Sequence, residues 1–165
     1  MIPKTKEKLG KEYARCEKSF VKIDRALFRE YSSLAYEDLE SATKETNVRW
    51  AVTKAYQSLF LMCNSILVRK KGVYSKDHHC LIVALANENL IETSVLTRIY
   101  ELLKTKEKLF EGINPQVALY EEISRIRIER NNYLYLPKTL RKTTKNSKDI
   151  IEEVRELIKL LGEVE

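Results

Sequence analysis

The sequence predicts an all-α fold: an up-down helical bundle with a long heptad-patterned N-terminal helix and an extra C-terminal helix. Two observations carry this. Only four glycines and three prolines interrupt the 165 residues, and the rest is rich in Lys, Glu and Leu, which lose little side-chain freedom in a helix. Apolar residues also recur at three- and four-residue steps through most segments, the spacing that lines one helical face. The length suits a single domain with a real core. Its expected parts are a bundle core over about 30–137, an N-terminal helical extension over 5–30, and an arm and helix over 138–162.

The first helix is expected from about Thr5 into the low forties. Leu9, Tyr13, Cys16, Phe20, Ile23 and Leu27 alternate four- and three-residue steps, a heptad seam. Tyr31, Leu34, Ala35, Leu39 and Ala42 continue the stripe, and Ser32-Ser33 is a candidate kink. Two readings stay open. One long helix packs on its own bundle, or residues 5–30 extend past the bundle and pair with a second copy.

The second helix starts near Asn47 or Val48 and ends around Lys70, with Gly72 as its stop. Val52, Ala55, Leu59, Met62 and Ile66 form one row, and Tyr56, Phe60, Cys63 and Leu67 form a second beside it. So wide an apolar arc marks a central helix. Ser75 or Asp77 can cap a third helix carrying His79, Leu81, Ile82 and Leu85. Thr93 or Ser94 can cap a fourth with Leu96, Ile99, Leu103 and Phe110, closed by Gly112. Asn114-Pro115 places a cap before proline at the first helical position. It opens a fifth helix with Val117, Tyr120, Ile123, Ile126 and Ile128, which Pro137 stops. Residues 138–146 lack apolar periodicity and form a linker or arm. Ser147 caps a last helix with Ile150, Val154, Leu157, Ile158 and Leu161, and Gly162 ends it.

The net charge is +6 and the pI about 9.1, which suits an anionic partner. The N-terminus has no apolar core of a secretory signal. The longest clean apolar run, Leu81 to Ala86, is too short to cross a bilayer. These features predict a soluble, cytoplasmic protein away from membranes. Cys16, Cys63 and Cys80 are odd in number and widely spaced, and read as reduced thiols. No metal-ligand spacing, phosphate loop or nucleophile elbow is present, so neither a metal nor a cofactor is expected. Glu37, Asp38 and Glu40, and Glu121-Glu122, read as solvated or salt-bridging faces.

The charge is concentrated. Arg125, Arg127, Arg130, Lys138, Arg141, Lys142, Lys145 and Lys148 face a single acid, Glu129, between residues 125 and 148. Several cations within one Debye length suit phosphates, and Tyr133 and Tyr135 can stack on unpaired bases. The alternative is a solvated face that favours the negative end of its helix. His78 and His79, the only histidines, start a helix. Adjacent residues point about 100° apart, so they do not share one site. Either is a candidate general base for RNA cleavage, which must remove the 2′-OH proton.

The residues so assembled resemble the HEPN superfamily of small helical bundles over roughly residues 30–137. The match starts at Glu37-Asp38-Leu39-Glu40-Ser41-Ala42. It is clearest at Thr53-Lys54-Ala55-Tyr56-Gln57-Ser58-Leu59-Phe60, similar to that family's Ala-Tyr-rich second helix. Lys70-Lys71-Gly72-Val73-Tyr74-Ser75-Lys76-Asp77-His78 resembles its Gly turn and Lys-x-His segment, and Arg130-Asn131 falls where the family keeps its Arg and polar pair. The resemblance implies a homodimer in which two Arg-polar-His motifs meet in a cleft. It also implies RNA as the ligand, metal-independent RNase activity in active members, toxin–antitoxin or defence contexts, and often a nucleotidyltransferase partner. Tyr135 stands where the His belongs, and a phenol with a pKa near 10 is a poor base at neutral pH.

The expectation is therefore RNA or partner-protein binding without strong nuclease activity. Arg127, Arg130, Asn131 and Tyr135 would line the cleft, and Lys138, Arg141, Lys142 and Lys145 would guide the phosphates. One alternative is an active ribonuclease using Arg130 and Asn131 with Tyr135, His78 or His79. The other is a structural module assembled through the residue 9–27 seam.

Overall fold

The computed structural model describes residues 5–110 and 147–163. Six helices appear among them: α1 (Lys6–Cys16), α2 (Phe28–Lys44), α3 (Val48–Lys71), α4 (His78–Asn87), α5 (Thr93–Phe110) and α6 (Ser147–Gly162). Two short strands, β1 (Phe20–Lys22) and β2 (Val73–Ser75), complete the set. The all-α helical bundle is as expected. The fifth helix expected between Asn114 and Pro137, the Gly112 stop and the arm at 138–146 lie outside the described residues.

Helix α3 is the central element and packs against α2, α4 and α6. Both of its expected rows are present: Val52, Ala55, Leu59, Met62 and Ile66 are buried, as are Tyr56, Cys63 and Leu67, with Phe60 partly buried. Each large aliphatic side chain taken out of water there contributes about 1.5–3 kcal/mol before the cost of ordering it. Helix α2 turns Ser32, Ala35, Leu39 and Ala42 inward. The small Ser32, Ala35 and Ala42 among them let α2 and α3 approach closely enough for the Ser58 hydroxyl to donate to the Ala35 carbonyl at 2.8 Å. Leu34, expected on the apolar stripe, is exposed, because it falls off the arc drawn by Ala35, Leu39 and Ala42. Helix α2 runs unbroken through Ser32-Ser33. Helix α6 joins the same core through Ile150, Val154, Leu157, Ile158 and Leu161.

The long first helix is not formed. Helix α1 stops at Cys16, a 3-10 turn follows over Glu17–Ser19, and the chain becomes strand β1. Phe20, Val21 and Lys22 pair antiparallel with Ser75, Tyr74 and Val73, and the Ile23 amide donates to the Gly72 carbonyl at 2.9 Å. Aromatic and β-branched residues suit this pairing. Its partner lies some fifty residues along the chain, so nothing local in the heptad spacing signals it. Asp24 then caps a second 3-10 turn, Arg25–Leu27, before α2 begins. The residue 9–27 seam is thus split among a helix, a strand and 3-10 turns rather than lying on one continuous helix.

Gly72 makes the return possible. Its φ of +67° is a left-handed conformation that other residues adopt only at a cost, and it swings the chain from α3 into β2. Asn64 then fastens β2 to α3. Its side chain accepts from the Ser75 amide at 2.8 Å and donates to the Ser75 carbonyl at 3.1 Å. Of the two expected caps, Asp77 serves α4, accepting from the Cys80 amide at 2.7 Å. Thr93 and Ser94 both lie within α5, whose first turn is closed by the Leu96 amide on the Glu92 carbonyl.

The reading of three reduced thiols is corrected for two of them. Cys16 and Cys80 form a disulfide, with their Cα atoms 5.4 Å apart and a sequence separation of 64. The cause is the packing of α1 across α4, which spacing along the chain does not reveal. Cys63 is free and buried, and burial pushes its thiol up to about 12.

Candidate nucleic-acid interface

The residues expected to line a cleft, Arg127, Arg130, Asn131 and Tyr135, and the arm cations Lys138, Arg141, Lys142 and Lys145, lie outside the described residues. His78 and His79 are described, at the start of α4. They face different neighbours, as expected of adjacent helical positions. The His78 ring packs on Phe60 of α3 with centroids 4.5 Å apart. The His79 Nε2 lies 3.6 Å from Oε2 of Glu12 on α1, and the other carboxylate oxygen of Glu12 accepts from Arg15 at 2.6 Å. The arrangement Arg15–Glu12–His79 therefore crosses from α1 to α4 beside the Cys16–Cys80 bond. Its imidazole is about half exposed, so solvent reaches it while a carboxylate lies close by. No group of three metal-ligating side chains occurs among the described residues.

A second polar surface is formed by the start of α2, the end of α3 and strand β2. Phe28, the first residue of α2, carries two guanidinium groups on its ring: Arg69 with Cζ 5.2 Å from the centroid and Arg29 at 5.7 Å. Arg25 lies against Gly72, its Cγ 3.3 Å from where a glycine Cβ would project. Lys70 is exposed beside Arg69. Three residues beyond Phe28, Tyr31 meets Tyr74 of β2 with ring centroids 6.0 Å apart. Burial raises the Tyr31 phenol above its usual range.

The acids close by are few. Asp24 is occupied in accepting from the Ala26 amide at 2.9 Å, and Glu30 is exposed in the first turn of α2. Glu88 pairs with Lys71 at 2.8 Å. The hydrogen bond from Lys71 holds the Glu88 carboxyl below its usual range, and the same bond raises the Lys71 ammonium. Among the described residues, no carboxylate forms an ion pair with Arg25, Arg29 or Arg69.

Periodicity and motif spacing in the sequence do not pick out this surface. The signals were present as Arg69-Lys70-Lys71 in the last turn of α3 and as Arg25 to Arg29 before and within α2. Only the α2–α3 packing brings Arg29 and Arg69, forty positions apart in sequence, onto one ring.

Among the described residues, no helix is long and apolar enough to cross a membrane. Comparison with family models, with curated proteins and with solved structures finds no match.

Proposed function

We propose that this chain is a HEPN-like helical protein that binds RNA without strong nuclease activity. The observation that carries this reading is the concentration of eight cations against one acid between Arg125 and Lys148. A phosphate backbone is the polyanion such a segment suits, since each neutralised phosphate releases counterions. In this proposal the protein is a cytoplasmic homodimer of a toxin–antitoxin or defence system, partnered by a nucleotidyltransferase. Arg127, Arg130, Asn131 and Tyr135 line the cleft between protomers. Tyr135 at the histidine position speaks against efficient cleavage, because its phenol holds its proton at neutral pH.

Arg130→Ala tests the reading. It should weaken binding of a labelled single-stranded RNA and flatten the dependence of affinity on salt by about 0.7 in the log–log slope. Unchanged affinity and slope would remove Arg130 from the interface. The half-exposed His79 beside Glu12 supports a second reading as a metal-independent ribonuclease. Cleavage of total RNA that persists in chelator and disappears in His79→Ala would favour it.

A further inference from the structure

We infer that the arginine-clad Phe28 surface is a contact for single-stranded nucleic acid, made by residues other than those at 125–148. The inference rests on the RNA-binding reading and assigns that ligand further contact residues. Arg29 and Arg69 lie over one phenyl ring at 5.7 and 5.2 Å. A ring beneath a guanidinium attracts it and restricts its motion, so less freedom is lost when it grips a ligand. Neither guanidinium has a carboxylate partner among the described residues, so their donors are not satisfied by protein anions. Arginine presents a planar fork of donors that matches phosphate oxygens. Arg25, against Gly72 just before β2, and the exposed Lys70, next to Arg69 in the chain, add positive charge to the neighbouring segments.

The aromatic neighbours decide between classes of polyanion. Phe28, Tyr31 and Tyr74 are partly exposed; Phe28 carries both arginines, and Tyr31, three residues further along α2, is in ring contact with Tyr74. Cations alternating with rings suit an unpaired strand, whose phosphates take the charge while its bases stack. A duplex hides its bases, and a purely ionic partner makes no use of the rings. The surface is built on the ends of two core helices and a strand fastened by Asn64, so it is preformed.

The test is fluorescence anisotropy of the full chain with a labelled oligouridine across a salt series. The variants are Arg29→Ala/Arg69→Ala and Arg29→Lys/Arg69→Lys, with circular dichroism and thermal melting to verify the fold. The alanine pair should bind about tenfold or more weakly, with the log–log salt slope reduced by about 0.7 for each arginine. The lysine pair keeps the charge and should retain most of the slope. An alanine pair that melts like the parent and binds with unchanged affinity and slope overturns this inference, and the RNA-binding reading survives if Arg130→Ala still weakens binding. A parent chain that fails to bind oligouridine even at low salt overturns both. Equal loss of slope in the lysine and alanine pairs would indicate disturbed packing and also count against the inference.

Discussion

The carboxyl of Asp38 is held above its usual range by burial, with Glu37 adding to the shift and Lys54 opposing it. A carboxyl raised in the folded state favours folding while protonated, and that contribution is lost as pH rises through its folded-state value. At neutral pH the Asp38 charge is therefore a modest liability. Asp38→Asn should raise the midpoint of urea unfolding at pH 7. The gain should vanish below pH 3.8, the ordinary value, where Asp38 is protonated in both states. A gain that persists unchanged in acid would show that charge is not its cause. Glu88 acts in the opposite sense: with its carboxyl lowered by Lys71, it contributes stability at neutral pH that is lost as pH falls through its folded-state value. Sequence alone marked Glu37, Asp38 and Glu40 as an acidic face. Which of them is half-buried depends on α2 turning Ala35 and Leu39 toward α3, and that required the packed structure.

Helices α3, α4 and α6 were legible because their apolar rows are regular and the first two are bounded by Asn47, Gly72 and Asp77, whereas Ser147, expected as a cap, is the first residue within α6. The segment before α2 was not legible. Its heptad spacing is real as a pattern, but the pairing of Phe20 with Ser75 and of Lys22 with Val73 outweighs it, and pairing across that distance leaves no local trace. The disulfide escaped for the same reason. Its effect on α1 is testable. In the chain-entropy account, closing a loop of 64 residues constrains the unfolded chain by about 4 kcal/mol at most. Cys16→Ser/Cys80→Ser should lower stability to denaturant by about 2–4 kcal/mol, and added reductant should change the double variant far less than the parent. Equal sensitivity to reductant would place the effect at another site. Of the candidate site, charge clustering was legible between Arg125 and Lys148, whereas the meeting of Arg29, Arg69 and Phe28 was not.

At the scale of the molecule, the fold gathers distant parts of the chain around α3. Helix α6 returns to the core through Leu157 and Leu161, is tied to α5 by Arg98 and Glu156 at 2.8 Å, and reaches α2 through Arg155 and Thr43 at 2.9 Å. The bond between Cys16 and Cys80 closes a covalent ring, and all of α2 and α3 lie within it along the chain. Backbone cleavage within that ring opens a circle without dividing the chain. A protease nick in the turn between Lys44 and Val48 should therefore leave one band on a non-reducing gel and two after reduction. Two bands without reductant would show the ring to be open. The protein can thus be cut between its two most intimately packed helices and still keep every one of its residues on a single covalent molecule.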